Sequence, residues 1–322
     1  MTITREHVTR SRADPGLFEL LLDDGRPALL LTGIALLLSG AFAVFLSIRR
    51  EFLPHDVAYL GMTAEQLCRI ADCRVVRFMF HDRVAFGGSL MAVAMLYLWM
   101  AAVPLREGER WAWRAFAVTG LLGFGSFLSY LAYGYLDSWH GVATLALLPV
   151  FLAGLLRARA SAVVSSGGWL RSPDGLEAPR RLRIGRWALL ATGAGMTLAG
   201  AVILVLGSTE VFVAEDLAFM KLTRDMLDVV NPRLVPLIAH DRAGFGGGLV
   251  TTGALVLMSA WYARPSRSFH QAVLLAGISG FGCAIGVHFI EGYTNPMHLA
   301  PAFAGAAIFA ASLICQAVGG RS

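Results

Sequence analysis

The segment FMFHDRVAFGG (78–88) has a near copy later in the same chain, LIAHDRAGFGG (237–247). Both copies place His-Asp-Arg directly before a long apolar run. Three further stretches repeat at a nearly constant offset: HDVAYLGMT (55–63) with EDLAFMKLT (215–223), GLLGFG (120–125) with GISGFG (277–282), and GYLDSWH (134–140) with GYTNPMH (292–298). Self-similarity at a fixed period is the sequence signature of a repeated structural unit. The chain is therefore predicted to be an internal duplication.

The composition indicates a membrane protein. Of 322 residues, 56% are hydrophobic and only 15% are charged, which is too apolar for an ordinary soluble domain. The net charge is +5, and almost all of the positive charge comes from arginine, since Lys221 is the only lysine. The arginines lie in short segments between apolar runs, so they are interpreted as topology determinants. A nucleic-acid partner is not expected, and the lipid bilayer is.

Eight apolar runs approach the length of about 20 residues that a helix needs to cross a bilayer. They are Pro27–Ile48, Val84–Pro104, Ala115–Tyr135, Gly141–Leu156, Trp187–Leu206, Phe245–Tyr262, Gln271–Ile290 and Leu299–Val318. The backbone must satisfy its own hydrogen bonds inside hydrocarbon, so each run is predicted to be a helix. No cleavage site borders the first run, which is expected to remain as a span. The predicted fold is an all-α integral membrane protein with eight transmembrane helices.

The duplication divides these helices into two parallel tandem four-helix bundles, because an even number of spans returns the chain to the same side. The predicted organisation is an N-terminal segment (1–26), a first repeat (27–157), a linker (158–186) and a second repeat (187–318). Most basic residues fall in the N-terminal segment, in the linker, and in the loops that follow the second and sixth apolar runs. This distribution predicts cytoplasmic N and C termini in a bacterial-type inner membrane. Thr63 with Gln66, and Thr223, predict short capped helices in the outer loops.

Four of the eight histidines occupy paired positions in the two copies: His81 with His240, and His140 with His298. The second and fourth helices of a repeat run in the same direction. Their starts, where these histidines stand, therefore lie at the same depth at the outer membrane edge. Facing helices of a four-helix bundle commonly build core sites. We expect His81 to face His140 and His240 to face His298, with each pair serving as metal ligands.

Small residues below the histidines predict a flat slot that suits one or two haem b groups with bis-His ligation. Gly88 and Gly247 lie seven residues after His81 and His240, on the same helix face. Arg83 and Arg242 are positioned to bind haem propionates. The absence of a CxxCH motif argues against covalent attachment.

Two alternatives remain open at this stage. A non-haem iron, copper or zinc enzyme would use the same histidines with Asp82 and Asp241. A structural or assembly subunit would use the glycines for helix packing and the charges for helix ends. Candidate catalytic acids are Asp82, Asp241 and Glu291, the last being peculiar to the second copy. Cys68 and Cys73 in the first outer loop are compatible with a disulfide or with two free thiols.

These features together resemble the heme A synthase family, whose members have eight helices in two four-helix halves. The resemblance implies that His81, His140, His240 and His298 are haem ligands and that Cys68 and Cys73 match the family's loop pair. The family's glutamate three residues before the first histidine is Phe78 here, and Leu237 in the second copy. The resemblance therefore implies a haem-holding oxidoreductase or electron-transfer scaffold more than oxidation of a haem methyl group. Quinol or another redox partner, and a homo-oligomer or larger membrane complex, are the expected partners.

Overall fold

The computed structural model describes residues 23–128, 135, 138–162 and 179–317. Most of the predicted N-terminal segment and linker lies outside these ranges. All regular elements within them are helices: α1 (Arg26–Arg49), α2 (Pro54–Leu60), α3 (Ala64–Cys68), a 3-10 turn (Ala71–Cys73), α4 (Arg74–Ala102), α5 (Arg110–Leu128), α6 (Ser138–Ser161), α7 (Arg180–Ser208), α8 (Ala214–Met220), α9 (Arg224–Val230), α10 (Leu234–Tyr262), α11 (Arg267–Glu291) and α12 (Pro296–Ala317).

Seven of the described helices are long and apolar enough to cross a membrane, as expected of a multi-pass membrane protein. They are α1, α4, α6, α7, α10, α11 and α12. The third predicted run forms α5, which is a helix but is not among the seven. Its described part begins with Arg110 and Arg114 and ends at Leu128.

Two helices form the centre of the molecule. In α4 and α10, 78% and 72% of the apolar stretch is buried, against 17 to 28% in the other five long apolar helices. Each of these central helices packs against its own repeat and against the other one: α4 contacts α1, α10 and α11, whereas α10 contacts α7, α4 and α5. Buried side chains project from every face of both helices. Each helix therefore needs neighbours on every side.

The predicted arrangement of two parallel tandem four-helix bundles is not confirmed, because the two repeats share extensive contacts. The two repeats interlock, because α4 of the first repeat packs against α11 of the second, and α10 of the second packs against α5 of the first. The sequence pattern could identify helices and copies, but it gave no information about which copy supplies each neighbour. Each of the two central helices therefore has neighbours from both repeats.

Glycines permit the close approach of the central helices to their partners. A Cβ atom on Gly200 of α7 would lie 2.4 Å from the Val250 backbone nitrogen, and one on Gly246 of α10 would lie 2.5 Å from that of Leu204. Gly40 of α1 and Gly87 of α4 make the equivalent contact in the first repeat, where a Cβ on Gly40 would lie 2.5 Å from the Gly87 carbonyl oxygen. Small residues at such crossings let membrane helices pack backbone to backbone.

Short helices cover the end of the molecule where α4 and α10 begin. α3 starts with the predicted capping box between Thr63 and Gln66, and the Thr223 hydroxyl accepts a hydrogen bond from Met226 at the start of α9. Cys68, at the end of α3, and Cys73, at the end of the 3-10 turn, form a disulfide. Buried side chains from these loops join those at the start of α4 and α10 in one apolar cluster, so the loops are part of the packed structure.

The glycine contacts predict a position-specific loss of stability. Gly246→Val places a branched side chain against the α7 backbone and should cost about 1–3 kcal/mol. Gly195→Val is the matched control, because a Cβ on that α7 glycine meets nothing within 4 Å. Thermal unfolding in detergent should show a clear decrease in melting temperature for Gly246→Val alone. Equal decreases in both variants would contradict the close helix crossing.

Candidate metal centre

Five histidines of the long helices lie at one end of the helix bundle, which we call the histidine end. His81 and His240 stand two turns into α4 and α10. His140 and His298 are the third residues of α6 and α12, and His288 lies one turn before the end of α11. The helices therefore begin before His81 and His240, and not at them as the sequence analysis expected.

Three of these residues, His81, His288 and His298, form a cluster, and one ring nitrogen of each lies within 4.8 Å of the others. The Nε2 atoms of His81 and His288 are only 2.9 Å apart. His81 and His288 are buried, being 3% and 6% exposed, and His298 is half-buried. The cluster combines imidazoles from both repeats, since α4 belongs to the first and α11 and α12 belong to the second.

Hydrogen bonds at the opposite ring nitrogens fix the tautomers of the two buried rings. His81 Nδ1 lies 3.1 Å from Asp82 Oδ1, and His288 Nδ1 lies 2.6 Å from the Ala284 carbonyl oxygen. A carboxylate and a carbonyl can only accept, so both Nδ1 atoms donate. Neutral rings in these tautomers carry lone pairs on Nε2. Two lone pairs then face each other at hydrogen-bond distance, which only an added proton or a cation can stabilise.

The third ring is oriented in the same way. Tyr293 donates a hydrogen bond of 2.7 Å from its hydroxyl to Asp216, and the same oxygen lies 3.3 Å from His298 Nδ1. Because the phenol proton is used by Asp216, His298 Nδ1 is the donor in the second contact and Nε2 keeps its lone pair. Burial and the Asp216 carboxylate raise the pKa of Tyr293 above its usual value, so the phenol stays protonated. Such outer partners are typical of metal-bound histidines.

His140 and His240 form a second, smaller group, the histidine pair. His140 Nδ1 lies 3.0 Å from His240 Nε2, and the two rings are nearly parallel with centroids 5.1 Å apart. Here one ring can donate to the other, so the contact between them does not require a cation. The pair also joins the two repeats, because α6 belongs to the first and α10 to the second.

The expected pairing of histidines within each repeat is wrong. The structure brings His140 to His240, and His298 to His81 with ring centroids 6.0 Å apart. The reason is the interlocking of the repeats, which places the last helices of one copy beside the central helix of the other. His288 was not predicted as a ligand because the first copy has no histidine at the corresponding position.

A haem between paired imidazoles does not fit these contacts. The rings of His81 and His288 meet edge to face with centroids 4.2 Å apart, and the rings of the histidine pair are in direct contact as well. The predicted slot at Gly88 and Gly247 is also filled. A Cβ on Gly88 would lie 2.4 Å from Cys283 of α11, and one on Gly247 would lie 2.2 Å from the Ser126 hydroxyl of α5. Both glycines are therefore helix-packing positions.

The acids and arginines of the two HDR motifs form buried ion pairs that cross between the repeats. Arg83 contacts Asp241 at 2.8 Å and Asp56 at 2.9 Å. In the second copy Arg242 contacts Asp216 and lies 3.8 Å from Asp82. Together with Tyr135, which donates to Asp56 as Tyr293 does to Asp216, these groups form what we call the Asp–Arg lattice.

The lattice changes the roles expected for its members. Both guanidinium groups are used by protein carboxylates, so their proposed contact with haem propionates has no support in this arrangement. Two guanidinium groups face four carboxylates, which leaves two negative charges unbalanced when all four acids are ionised. Asp82 orients His81, and Asp241 binds Arg83. Asp56 and Asp216 were missed, although their positions match in the repeated stretches 55–63 and 215–223 and this match could have identified them.

Glu291, the remaining candidate acid, is the last residue of α11. Its side chain is 3% exposed and its Oε2 atom lies 2.6 Å from Nη1 of Arg50, which follows α1 and is 41% exposed. Glu291 lies three residues after His288, and so about one helical turn closer to the surface at the histidine end. It is therefore close to the three-histidine cluster along the helix and is held by an arginine of the first repeat.

The lattice predicts a large effect for one buried arginine. Arg242→Met would leave the Asp216 carboxylate unpaired in the interior, which should cost about 3–5 kcal/mol and lower the melting temperature by about 10 °C. Arg69→Met is the control, because Arg69 pairs with Glu65 while their side chains are 76% and 84% exposed. Thermal unfolding in detergent measures both. Similar melting temperatures for the two variants would show that the lattice adds little stability.

Comparison with known proteins does not assign this site. No family model, curated protein or solved structure matches the chain. The chemistry of the site is therefore inferred from its own geometry: three inward-facing imidazoles, an anchored outer nitrogen on each ring, and a surplus of buried carboxylates.

Proposed function

We propose that the chain is an integral membrane oxidoreductase or electron-transfer protein that binds one divalent transition-metal ion at His81, His288 and His298. The observation that carries the proposal is the contact between the Nε2 atoms of His81 and His288 at 2.9 Å, when both Nδ1 atoms are committed as donors. Imidazole nitrogens bound to a tetrahedral ion at about 2.0–2.1 Å are about 3.3 Å apart. Small shifts of the two rings would therefore admit an ion.

The buried carboxylates beside the histidines favour a bound cation. Asp82 and Asp216 lie beside the cluster with one arginine, Arg242, near both of them, so one carboxylate charge there is not balanced when both acids are ionised. The interior of a helix bundle stabilises such charge only when it is paired. A cation bound by the three imidazoles would lie beside Asp82, which is 1% exposed and already oriented towards His81.

The ligand set favours a first-row transition metal. Imidazole suits iron, copper and zinc, and three protein ligands leave an open coordination position of the kind found in catalytic sites. Iron or copper at this position would supply one-electron chemistry. The oxidoreductase assignment rests on the resemblance to the heme A synthase family, whose haem centres likewise lie in a duplicated eight-helix scaffold.

The topology is part of the same proposal. With α5 as the eighth span, both repeats contain four spans and both termini lie on one side, which the arginine distribution makes cytoplasmic. The histidine end then faces the outside of a bacterial-type inner membrane, where an electron donor dissolved in the bilayer, such as quinol, could reach it. A homo-oligomer or larger complex remains a prediction from the sequence.

Haem b is the alternative cofactor and also remains a prediction. It would require the rings of the cluster or of the histidine pair to separate and admit a macrocycle. An absorption spectrum distinguishes the alternatives directly, because a bis-His haem gives a Soret band and a three-histidine metal ion does not.

The test is metal analysis with variants of two histidines on one helix. His288→Ala should reduce bound metal at least about tenfold, because even the loss of a residue that only orients a ligand lowers metal affinity by that factor. His270→Ala, at the other end of α11, should keep one ion per chain. Stoichiometric haem with a Soret band insensitive to His288→Ala would contradict the metal centre. Stoichiometric zinc without a redox-active metal would retain the site and exclude the oxidoreductase role.

A further inference from the structure

The internal duplication provides a built-in comparison between the three-histidine cluster and the histidine pair. Most polar groups around the two sites correspond, including the lattice arginines, the four lattice aspartates and the two tyrosines. Three residues near the cluster have no such counterpart. His288 has no histidine partner, Glu291 corresponds to Tyr133, and Arg50 corresponds to Glu210 in the repeat register. Of these three residues, Arg50 and Glu291 are in direct contact.

We propose that the Arg50–Glu291 ion pair is a gate through which the metal ion enters and leaves the three-histidine cluster. This inference rests on the proposed metal site. Glu291 is an almost fully buried carboxylate one turn beyond His288 towards the surface, and Arg50 reaches it from the surface with a half-exposed side chain. A carboxylate at this point attracts a cation, whereas the arginine neutralises it while the pair is closed.

Arg50 contacts both helices that carry the buried histidines. Its guanidinium group contacts Glu291, at the end of the helix that carries His288, and lies 5.7 Å from the centre of the Phe80 ring. Phe80 directly precedes His81 in α4. Arg50 therefore bridges the two helices whose histidines approach most closely, and it is the partner that would have to move for a cation to reach the carboxylate.

The pair differs from the lattice in a way that favours a movable role. Arg83 and Arg242 are mostly buried, with side chains 14% and 8% exposed, and each lies within 4 Å of two carboxylates. Arg50 is 41% exposed and has one carboxylate partner within salt-bridge distance among the described residues. Solvent can replace the lost contact when Arg50 moves away, so opening this pair costs less than opening a lattice pair.

The test measures metal exchange in the full-length chain in detergent, with Co²⁺ as the probe. The metal-free protein is mixed with Co²⁺, the visible absorption of the bound ion is followed, and release is started with an excess of chelator. Glu291→Gln, which keeps the shape and removes the charge, should slow both loading and release by about tenfold, the lower end of the electrostatic effect of a charged cleft on association. The dissociation constant, taken from the two rates, should change little.

Arg50→Ala should accelerate both loading and release, because it uncovers the carboxylate. Arg49→Ala is the matched control, since Arg49 is the adjacent residue, is 59% exposed and pairs with Glu51; it should exchange Co²⁺ at the wild-type rates. If Arg50→Ala does not fold, Glu291→Gln alone decides the question.

The possible outcomes separate the gate from the site. Wild-type exchange rates in Glu291→Gln would overturn the gate while leaving the metal centre intact. A weakened dissociation constant with an unchanged loading rate would make Glu291 a ligand or a positioning residue, and would also overturn the gate. A wild-type protein that binds no Co²⁺ would contradict the metal site itself.

Discussion

The three-histidine cluster depends on one constraint: each ring uses its outer nitrogen as a hydrogen-bond donor and therefore turns an acceptor inward. Asp82, the Ala284 carbonyl and Tyr293 supply the three outer acceptors. A buried acceptor that receives no donor is unfavourable, and two at 2.9 Å repel each other. The surrounding structure holds this arrangement in place, with Asp82 in the lattice and Tyr293 hydrogen-bonded to Asp216 of the short helix α8. An ion at the centre turns the repulsion into ligation.

The interlocked repeats explain why this constraint can be met in an apolar bundle. Neither copy contains a complete site, because His81 is oriented by its own neighbour Asp82 but faces α11 and α12 of the other copy. The lattice follows the same rule: Arg83 binds Asp241 of the other repeat, and Arg242 lies near Asp82. The polar groups thus pair across the interface between repeats. A single four-helix unit would leave one side of α4 uncovered, so the fold has the arrangement of a two-fold dimer within one chain.

The sequence was sufficient to predict seven of the apolar helices and to place four histidines at one end of them, because hydropathy and self-similarity are local properties. Their grouping could not be derived, since it depends on which repeat supplies the neighbour of α4. The error about His81 and His140 came directly from assuming that each copy packs by itself. A histidine was predicted as a ligand only when the other copy also had one. This criterion selected His81 and His298 but excluded His288. The same repeats contained Asp56 and Asp216, whose importance becomes evident only when Arg83 and Arg242 need partners.

The departures from symmetry carry the chemical difference between the two halves. The corresponding groups build two similar frames, each with a tyrosine, two aspartates and an arginine around a central histidine. Beside α11 the frame has a third imidazole, His288, and a buried carboxylate with its arginine. Among the described residues, no third histidine forms a metal-binding group with His140 and His240. A symmetric scaffold stabilises both sites equally well. Stability alone therefore does not explain the residues that distinguish one site from the other. Two of them, His288 and Glu291, lie on a single turn of one helix.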